Sequence, residues 1–285
     1  MVHTDRKEKA AKLMISAIIR THNDGDVVSK AIDRVQADEI IVVDDASPDE
    51  CDIKPRSGMT IIKTGSRFYG DSWNRAALIA RGDVLVFVDP YSSVDNTAKL
   101  VETAIESDCI AMGVCGAFRG GAIRISDEKH RMEVQWASKS QVHPTATAGG
   151  YYAVPRAIFN LIGGWFPTTS TGYDEAALSM KAFFCGVPLV VSDVNVTREL
   201  RSGYERQPID NIVANMLLVH HTLFDSDVFA KFWLRNTLNK YNNDVAIVNG
   251  WNRLKRQKWV PGLKQDFENR KIRTDQEFFD EFLDA

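Results

Sequence analysis

Cysteine is scarce in this chain: four occur among 285 residues, at Cys51, Cys109, Cys115 and Cys185, with no CxxC pair. That spacing speaks against a disulfide framework and against a cysteine-based metal site; isolated cysteines in a reducing compartment act as small apolar residues. Long apolar runs are missing as well, none approaching the roughly 20 residues that a membrane-spanning helix needs. The first twelve residues, Met1 to Lys12, are polar and charged, unlike the apolar centre of a signal peptide. The expected compartment is therefore cytoplasmic. Neither sign of charge dominates, with 35 Lys and Arg against 38 Asp and Glu, so the global signature of a nucleic-acid binder is absent. Two phosphate-binding glycine motifs are also missing. No GxGxxG follows the first apolar run and no GxxxxGK(S/T) occurs anywhere, which disfavours a Rossmann dehydrogenase and a P-loop phosphotransferase.

What is present is a 44% apolar fraction, enough for one large α/β domain with or without an appendage. Residues 14–19 form a β-branched apolar run that breaks into Arg20-Thr21-His22-Asn23-Asp24-Gly25. Val27, Val28, Ala31, Ile32 and Val35 then recur with helical spacing over 26–36, and Glu39 to Val43 makes a second strand ending in Asp44-Asp45. Continuous rather than alternating apolar strands predict a mostly parallel sheet flanked by helices on both faces. Further strands are expected at 59–63, 84–88, 109–114, 151–154 and 187–191, and helices at 71–81, 95–107, 155–162 and 174–184. Gly113 to Gly121 reads as irregular, Ala122 to Ile125 as an edge strand, 208–240 as mostly helical, and 250–285 as a polar tail with scattered aromatics.

Polar groups gather where the apolar strands end: Thr21 to Asn23, then Asp44 and Asp45, then Asp89. Asp and Asn at strand ends also start turns and cap helices. Three such clusters at the carboxyl edge of one parallel sheet nonetheless point to a shared ligand site. A carboxylate-lined site can hold a nucleoside diphosphate through a divalent cation.

These residues resemble family 2 glycosyltransferases. Ile15 to Asn23 (ISAIIRTHN) is similar to their opening SVIIPTYN, and Glu39 to Ser47 (EIIVVDDAS) to their EIIVVDDGS strand. Gly70 to Asp83 resembles their G-x-x-x-x-N-x-G-x-x-x-A-x-G-D stretch, with Ala76 in place of a glycine, and Val84 to Tyr91 sits where their metal-binding DxD follows a strand. Gly149 to Phe159 and Gly163 to Phe166 resemble the acceptor half, and Tyr173 to Gly186 lies where the catalytic ED-x-x-L motif opens a helix. The later stretch also resembles the polypeptide N-acetylgalactosaminyltransferases.

The resemblance implies a GT-A-like, Rossmann-related α/β fold: a nucleotide-sugar-binding and catalytic domain over 1–200, and a helical C-terminal extension over 201–285, basic and then acidic. It also implies roles. Thr21, His22 and Asn23 would line the nucleotide pocket, Asp45 would accept a hydrogen bond from uracil or another base, and Gly70 with Asn74 would lie near the base and diphosphate. Asp89 would coordinate Mg²⁺ or Mn²⁺. Glu175 or Asp174 would be the general base of an inverting transfer from a UDP-sugar; both would also suit the first turn of a helix through its dipole.

The pattern departs at Asp89-Pro90-Tyr91, where the second metal carboxylate is missing. Three readings follow: Asp89, diphosphate and water hold the metal; a cation such as Arg198 or Arg201 replaces it; or the fold has become a silent binding protein for a nucleotide sugar or nucleic acid. A retaining transfer is the alternative stereochemistry. Adjacent His220 and His221 face different ways on a helix and are expected to be core or surface residues rather than a metal pair. For the acceptor, the basic segment 250–273, with Trp251 and Trp259 interleaved, raises a nucleic-acid partner such as a hydroxymethylated DNA base. The same segment could instead rest on an anionic membrane holding a lipid-linked sugar, or pair internally with the acidic end (Asp275, Glu277, Asp280, Glu281, Asp284). A glycan or protein acceptor also stays open.

Overall fold

The computed structural model describes residues 13–48, 53–65, 69–126, 129, 131–138, 144–168, 173–199 and 208–283. Met1 to Lys12, Cys51, Arg201 and Asp284, which entered the sequence reading, lie outside the described residues. The chain opens with β1 (Ile15–Thr21), α1 (Asp26–Arg34), β2 (Glu39–Asp45), β3 (Met59–Thr64), α2 (Tyr69–Ile79) and β4 (Val84–Val88). It continues through β5 (Ser92–Val94), α3 (Thr97–Glu106), β6 (Ile110–Cys115), β7 (Phe118–Ser126), β8 (Arg131–Ser138), β9 (Tyr151–Pro155) and α4 (Arg156–Leu161). Then come α5 (Asp174–Phe184), β10 (Leu189–Arg198), α6 (Ile209–Leu223) and α7 (Ser226–Val228). A π-helical turn at Phe229–Trp233 leads into α8 (Leu234–Tyr241), α9 (Asp244–Arg256), α10 (Val260–Glu268) and α11 (Asp275–Phe282).

The sheet runs β3-β2-β1-β4-β9-β6-β10-β5, with the β7–β8 hairpin attached to β6. Strands β3, β2, β1 and β4 pair in parallel, while β9 is antiparallel to both neighbours and β5 is antiparallel to β10. The mostly parallel α/β sheet expected from the apolar runs is thus present. The runs are continuous because both faces are covered. Ile18, Ile41, Val43, Leu85 and Phe87 join one apolar cluster, and their neighbours Ile19, Val42, Val84, Val86 and Val88 join the other. Helices α1 and α3 bury Val28, Ile32, Leu100 and Val101 in the second cluster, and α5 and α6 bury Leu178, Phe184, Leu217 and Val219 in the first.

Three local expectations are corrected. The stretch read as irregular feeds directly into β7, and Ala122 to Ile125 lie inside a hairpin with β8 rather than on an edge. Strand β8 was not read from the sequence, although Met132, Val134 and Trp136 alternate with Arg131, Glu133 and Gln135 as a half-buried strand's residues do. Strand β10 continues past Val191 through a register shift, burying Val194 and Val196. The C-terminal extension is helical, as expected, and its polar sequence packs through widely spaced aromatics: Phe267, Phe278 and Phe282 are buried, and α11 starts with a Thr274/Glu277 capping box. Among the described residues no helix is long and apolar enough to cross a membrane.

Phe278 is fully buried and stacks on Phe184 of α5 with ring centroids 5.3 Å apart. Phe278→Ala should therefore cost about 3–5 kcal/mol, read as a lower midpoint in denaturant unfolding. A change under about 1 kcal/mol would mean that α11 is not integral to the core.

Candidate active site

The first part of the site forms where β1 and β2 end. Thr21 is buried and its hydroxyl donates to Asp24 Oδ2 at 3.0 Å, which also accepts the His22 amide at 2.8 Å. His22 Nδ1 lies 2.8 Å from the Asp45 carbonyl, the Asn23 amide donates to Ser47 Oγ at 2.8 Å, and the Ser47 amide donates to Asp44 Oδ1 at 3.0 Å. The two strand-end loops are therefore knitted into one surface. Asn23 and Ala46 hold left-handed backbones there (φ 57° and 55°), conformations that bulky residues avoid. Thr21 serves as internal framework, while the half-buried His22 and exposed Asn23 face outward.

Asp45 lies at the end of β2 among protein donors. It is fully buried: Oδ2 accepts Arg20 Nη2 at 2.7 Å and Nε at 3.1 Å, while Oδ1 accepts Ser72 Oγ at 2.6 Å and Thr64 Oγ1 at 3.1 Å. Burial alone would raise its pKa, but the Arg20 charge and these hydrogen bonds outweigh it and hold the carboxyl below its usual range. With both oxygens taking protein donors, Asp45 ties the end of β2 to β1, β3 and α2.

Gly70 and Asn74 also turn toward the protein. A Cβ at Gly70 would lie 1.5 Å from the Phe166 carbonyl oxygen, so the glycine is dictated by a backbone pressed against α2. Asn74 Nδ2 donates to the Trp165 carbonyl at 2.9 Å and its Oδ1 accepts the Trp165 amide at 2.9 Å, the pairing a neighbouring strand would offer. From the far side, the buried Lys181 of α5 donates to the carbonyls of Gly163 (3.0 Å) and Gly164 (2.5 Å). Burial brings its pKa down to about 7, with Arg270 adding in the same direction. Both donor candidates on α2 thus clasp the 163–166 turn.

The second part of the site lies past β4. The Asp89 amide donates to the Gly150 carbonyl at 2.7 Å, Asp89 Oδ1 accepts the Tyr91 amide at 3.0 Å, and Oδ2 lies 3.3 Å from Arg198 Nη2 of β10. Gly150 permits this approach, since a Cβ there would lie 2.8 Å from the Asp89 Cβ. Glu175, in the first turn of α5 beside Asp174, accepts a hydrogen bond from the Tyr152 hydroxyl, which in turn accepts the Gly150 amide at 2.9 Å. Burial and the Asp174 charge lift the Glu175 pKa to about 7; Tyr152 and Arg198 oppose the rise, and Asp89 adds to it. Asp89, Arg198, Tyr152, Asp174 and Glu175 therefore share one electrostatic cluster. Tyr152 was not singled out in the sequence, although it sits inside the Gly149–Phe159 block; only its hydroxyl aimed at Glu175 reveals it.

The donor set does not make a preformed metal centre. Among the described residues no three His, Cys, Asp or Glu side chains converge on one point, and Asp89 Oδ2 faces the Arg198 guanidinium at 3.3 Å. His220 is fully buried and stacks on Trp233 at 3.8 Å, while His221 packs edge-on to Phe229 and Trp251. They are packing residues facing different neighbours, as helical spacing requires.

Much of the basic 250–273 segment is used internally. Lys264 Nζ donates to the carbonyls of His221 and Phe224, Lys271 Nζ to Leu223 O and to Asp275, and Arg270 to Asp266 and Asn160 O. Arg273 covers the Phe183 ring, and Trp251 stacks on Phe229. These groups cap helices and seal the aromatic layer.

Comparison with known proteins places this arrangement. Residues 16–130 match the sequence model of the family described as Glycosyl transferase family 2. Among solved structures, GalNAc-T7 with UDP, GalNAc and Mn²⁺ is similar at 16% identity and TM-score 0.69, over 95% of this chain and 57% of that one. A mannosyltransferase from Pyrobaculum calidifontis, in complex with GDP-Man and Mn²⁺, is similar at 14% identity and TM-score 0.54, over 96% of this chain and 84% of that one. The chain thus spans little more than half the length of the GalNAc-T7 chain. No curated protein matches the sequence. The fold is that of the GT-A glycosyltransferases.

Gly70→Ala tests the clasp. It should destabilise the chain by about 3 kcal/mol, visible as a lower melting temperature, because the clashing partner is backbone that cannot rotate away. An unchanged melting temperature would show that the 163–166 turn is not pressed on α2.

Proposed function

We propose that the chain transfers a sugar from a nucleoside diphosphate donor, UDP-linked in the first instance, to an acceptor hydroxyl, with inversion. The observation that carries this reading is Glu175: a carboxyl with a raised pKa, bonded by Tyr152 and set in one cluster with the Asp89–Arg198 pair. A base poised near neutral pH suits removal of a hydroxyl proton. Tyr152 engages one carboxylate oxygen and leaves the other to take that proton. The acceptor oxygen then bonds to the anomeric carbon as the bond from that carbon to the phosphate oxygen breaks, and the diphosphate leaves. Arg198, held by Asp89, supplies positive charge for the leaving group. Mn²⁺ accompanies the nucleotide in both similar structures. In this chain the single carboxylate paired with a guanidinium favours a reaction with weak dependence on Mg²⁺ or Mn²⁺. The outward His22 and Asn23 line the nucleotide pocket in this proposal, over the floor braced by Asp45. The internal use of Lys264, Arg270, Lys271 and Arg273 argues against 250–273 as a nucleic-acid track and favours a glycan, lipid-linked sugar or protein hydroxyl as acceptor.

The donor is tested by thermal shift across UDP-, GDP- and TDP-sugars with Mn²⁺, Mg²⁺ or EDTA. One nucleotide should raise the melting temperature, and the shift should survive EDTA. Abolition by EDTA would restore Asp89 as a metal ligand, and no shift with any donor would remove the transferase reading.

The base is tested by pH and by Glu175→Gln. Because the folded pKa is raised from 4.5 to about 7, the carboxylate is lost as pH falls through 7. Transfer should decline below that pH and level off above it. Glu175→Gln should lower turnover by about 10²-fold or more with donor binding intact. A variant that keeps turnover would favour a retaining mechanism or a different base; wild-type donor binding without any turnover would favour the silent binding protein.

A further inference from the structure

Tyr173 is the residue through which the chain enters α5, and its backbone is unusual. It holds φ 74° and ψ 0°, the left-handed region, which costs a non-glycine residue about 1–2 kcal/mol. Among the described residues only four other non-glycines have positive φ, and two of those, Asn23 and Ala46, line the nucleotide-side loops. The sequence places glycine at 172 and tyrosine at 173, so the position that needs left-handed freedom carries a large side chain. Backbone strain persists only where surrounding contacts over-determine it.

Those contacts come from α6 and β8. The Tyr173 hydroxyl lies 2.5 Å from His220 Nε2 of α6, the two rings meet edge-to-face at 5.2 Å, and Met132 Sδ of β8 lies 3.9 Å from the same hydroxyl. His220 is fully buried and stacked on Trp233, itself fully buried in the π-helical turn. His220 Nδ1 has no hydrogen-bond partner among the described residues, so the Tyr173 hydroxyl is the polar contact that the ring retains. Breaking it would leave a buried imidazole without any partner, a costly state that locks the pair. A π-turn in this position fits a functional constraint, since such turns cluster at functional sites.

The next two residues are Asp174 and Glu175. We propose that Tyr173, anchored by His220, is the positioning residue that holds Glu175 against Tyr152 and beside the Asp89–Arg198 pair, making α6 part of the transfer machinery. The inference rests on the transferase reading above. It places the left-handed backbone as the device that turns the chain so that the first turn of α5 delivers its carboxylates into the cleft.

Tyr173→Phe removes one oxygen and tests the anchor. Transfer kcat should fall about tenfold or more while KM for the donor nucleotide sugar stays near the wild-type value, since small displacements of a reacting group cost rate rather than donor affinity. The control is Phe267→Leu, a core change in α10 away from the pair, which should lower the melting temperature and leave kcat unchanged. Hydrogen exchange at the amides of 174–177 should quicken in Tyr173→Phe and not in the control. Unchanged kcat in Tyr173→Phe, or equal losses in both variants, would overturn the proposal. If the wild type transfers sugar from no donor, the transferase reading falls by itself and exchange judges the anchor: unchanged exchange at 174–177 overturns it.

Discussion

The arrangement depends on a buried carboxylate. Asp45 ends β2 beneath the site and takes hydrogen bonds from Arg20 of β1, from its register partner Thr64 at the end of β3, and from Ser72 of α2. Four elements meet on two oxygen atoms. An isolated ionised carboxylate there would be untenable in a low-dielectric interior; four donors, two from a guanidinium, make it stable. Removing one partner would leave charge exposed to the core, so the carboxyl edge of the sheet is fixed before any ligand arrives. The loops after β1 and β2 inherit their shape from this knot through the bond between His22 and the Asp45 carbonyl.

The other half of the site is held by a different kind of contact. The 163–166 turn is caught between the Asn74 amide on one side and the Lys181 ammonium on the other. Because Lys181 and Glu175 lie on the same helix, the turn and the proposed base share a rigid support. Trp165 from the turn also stacks on Trp73 of α2, with centroids 5.9 Å apart. The cleft is thus bounded by groups that lock to one another rather than to solvent.

The fold was largely legible in the sequence because its strong signals are local. The apolar runs of β1, β2 and β4 are short and continuous, and α5 was bounded correctly from its periodicity and the glycine after it. The order of motifs indicated the GT-A class, and Asp89, Asp174, Glu175 and Arg198 were all singled out before their proximity was visible. Side-chain destinations were less legible. Asn74 bonds a residue 91 positions away, and no local pattern reports such a pairing. The same holds for Asp45, whose partners come from three separate elements, and for Tyr152, whose role depends on where its hydroxyl ends. The helical C-terminal extension was legible, but its contacts were not: many charges surround widely spaced phenylalanines, and only the tertiary packing shows that Phe267, Phe278 and Phe282 converge.

The position of β9 has a consequence for how the chain is made. Its five residues, Tyr151–Pro155, fill the gap between β4 and β6, yet they leave the ribosome long after β4 does. Until then β4, with every residue destined for burial, presents an open hydrogen-bonding edge. Exposed apolar edges recruit other chains, and nascent proteins are most vulnerable to this while a late strand is awaited. The parallel block β3-β2-β1-β4 therefore has to stay unassembled or shielded during synthesis, and the arrival of β9 is the event that closes the centre of the sheet.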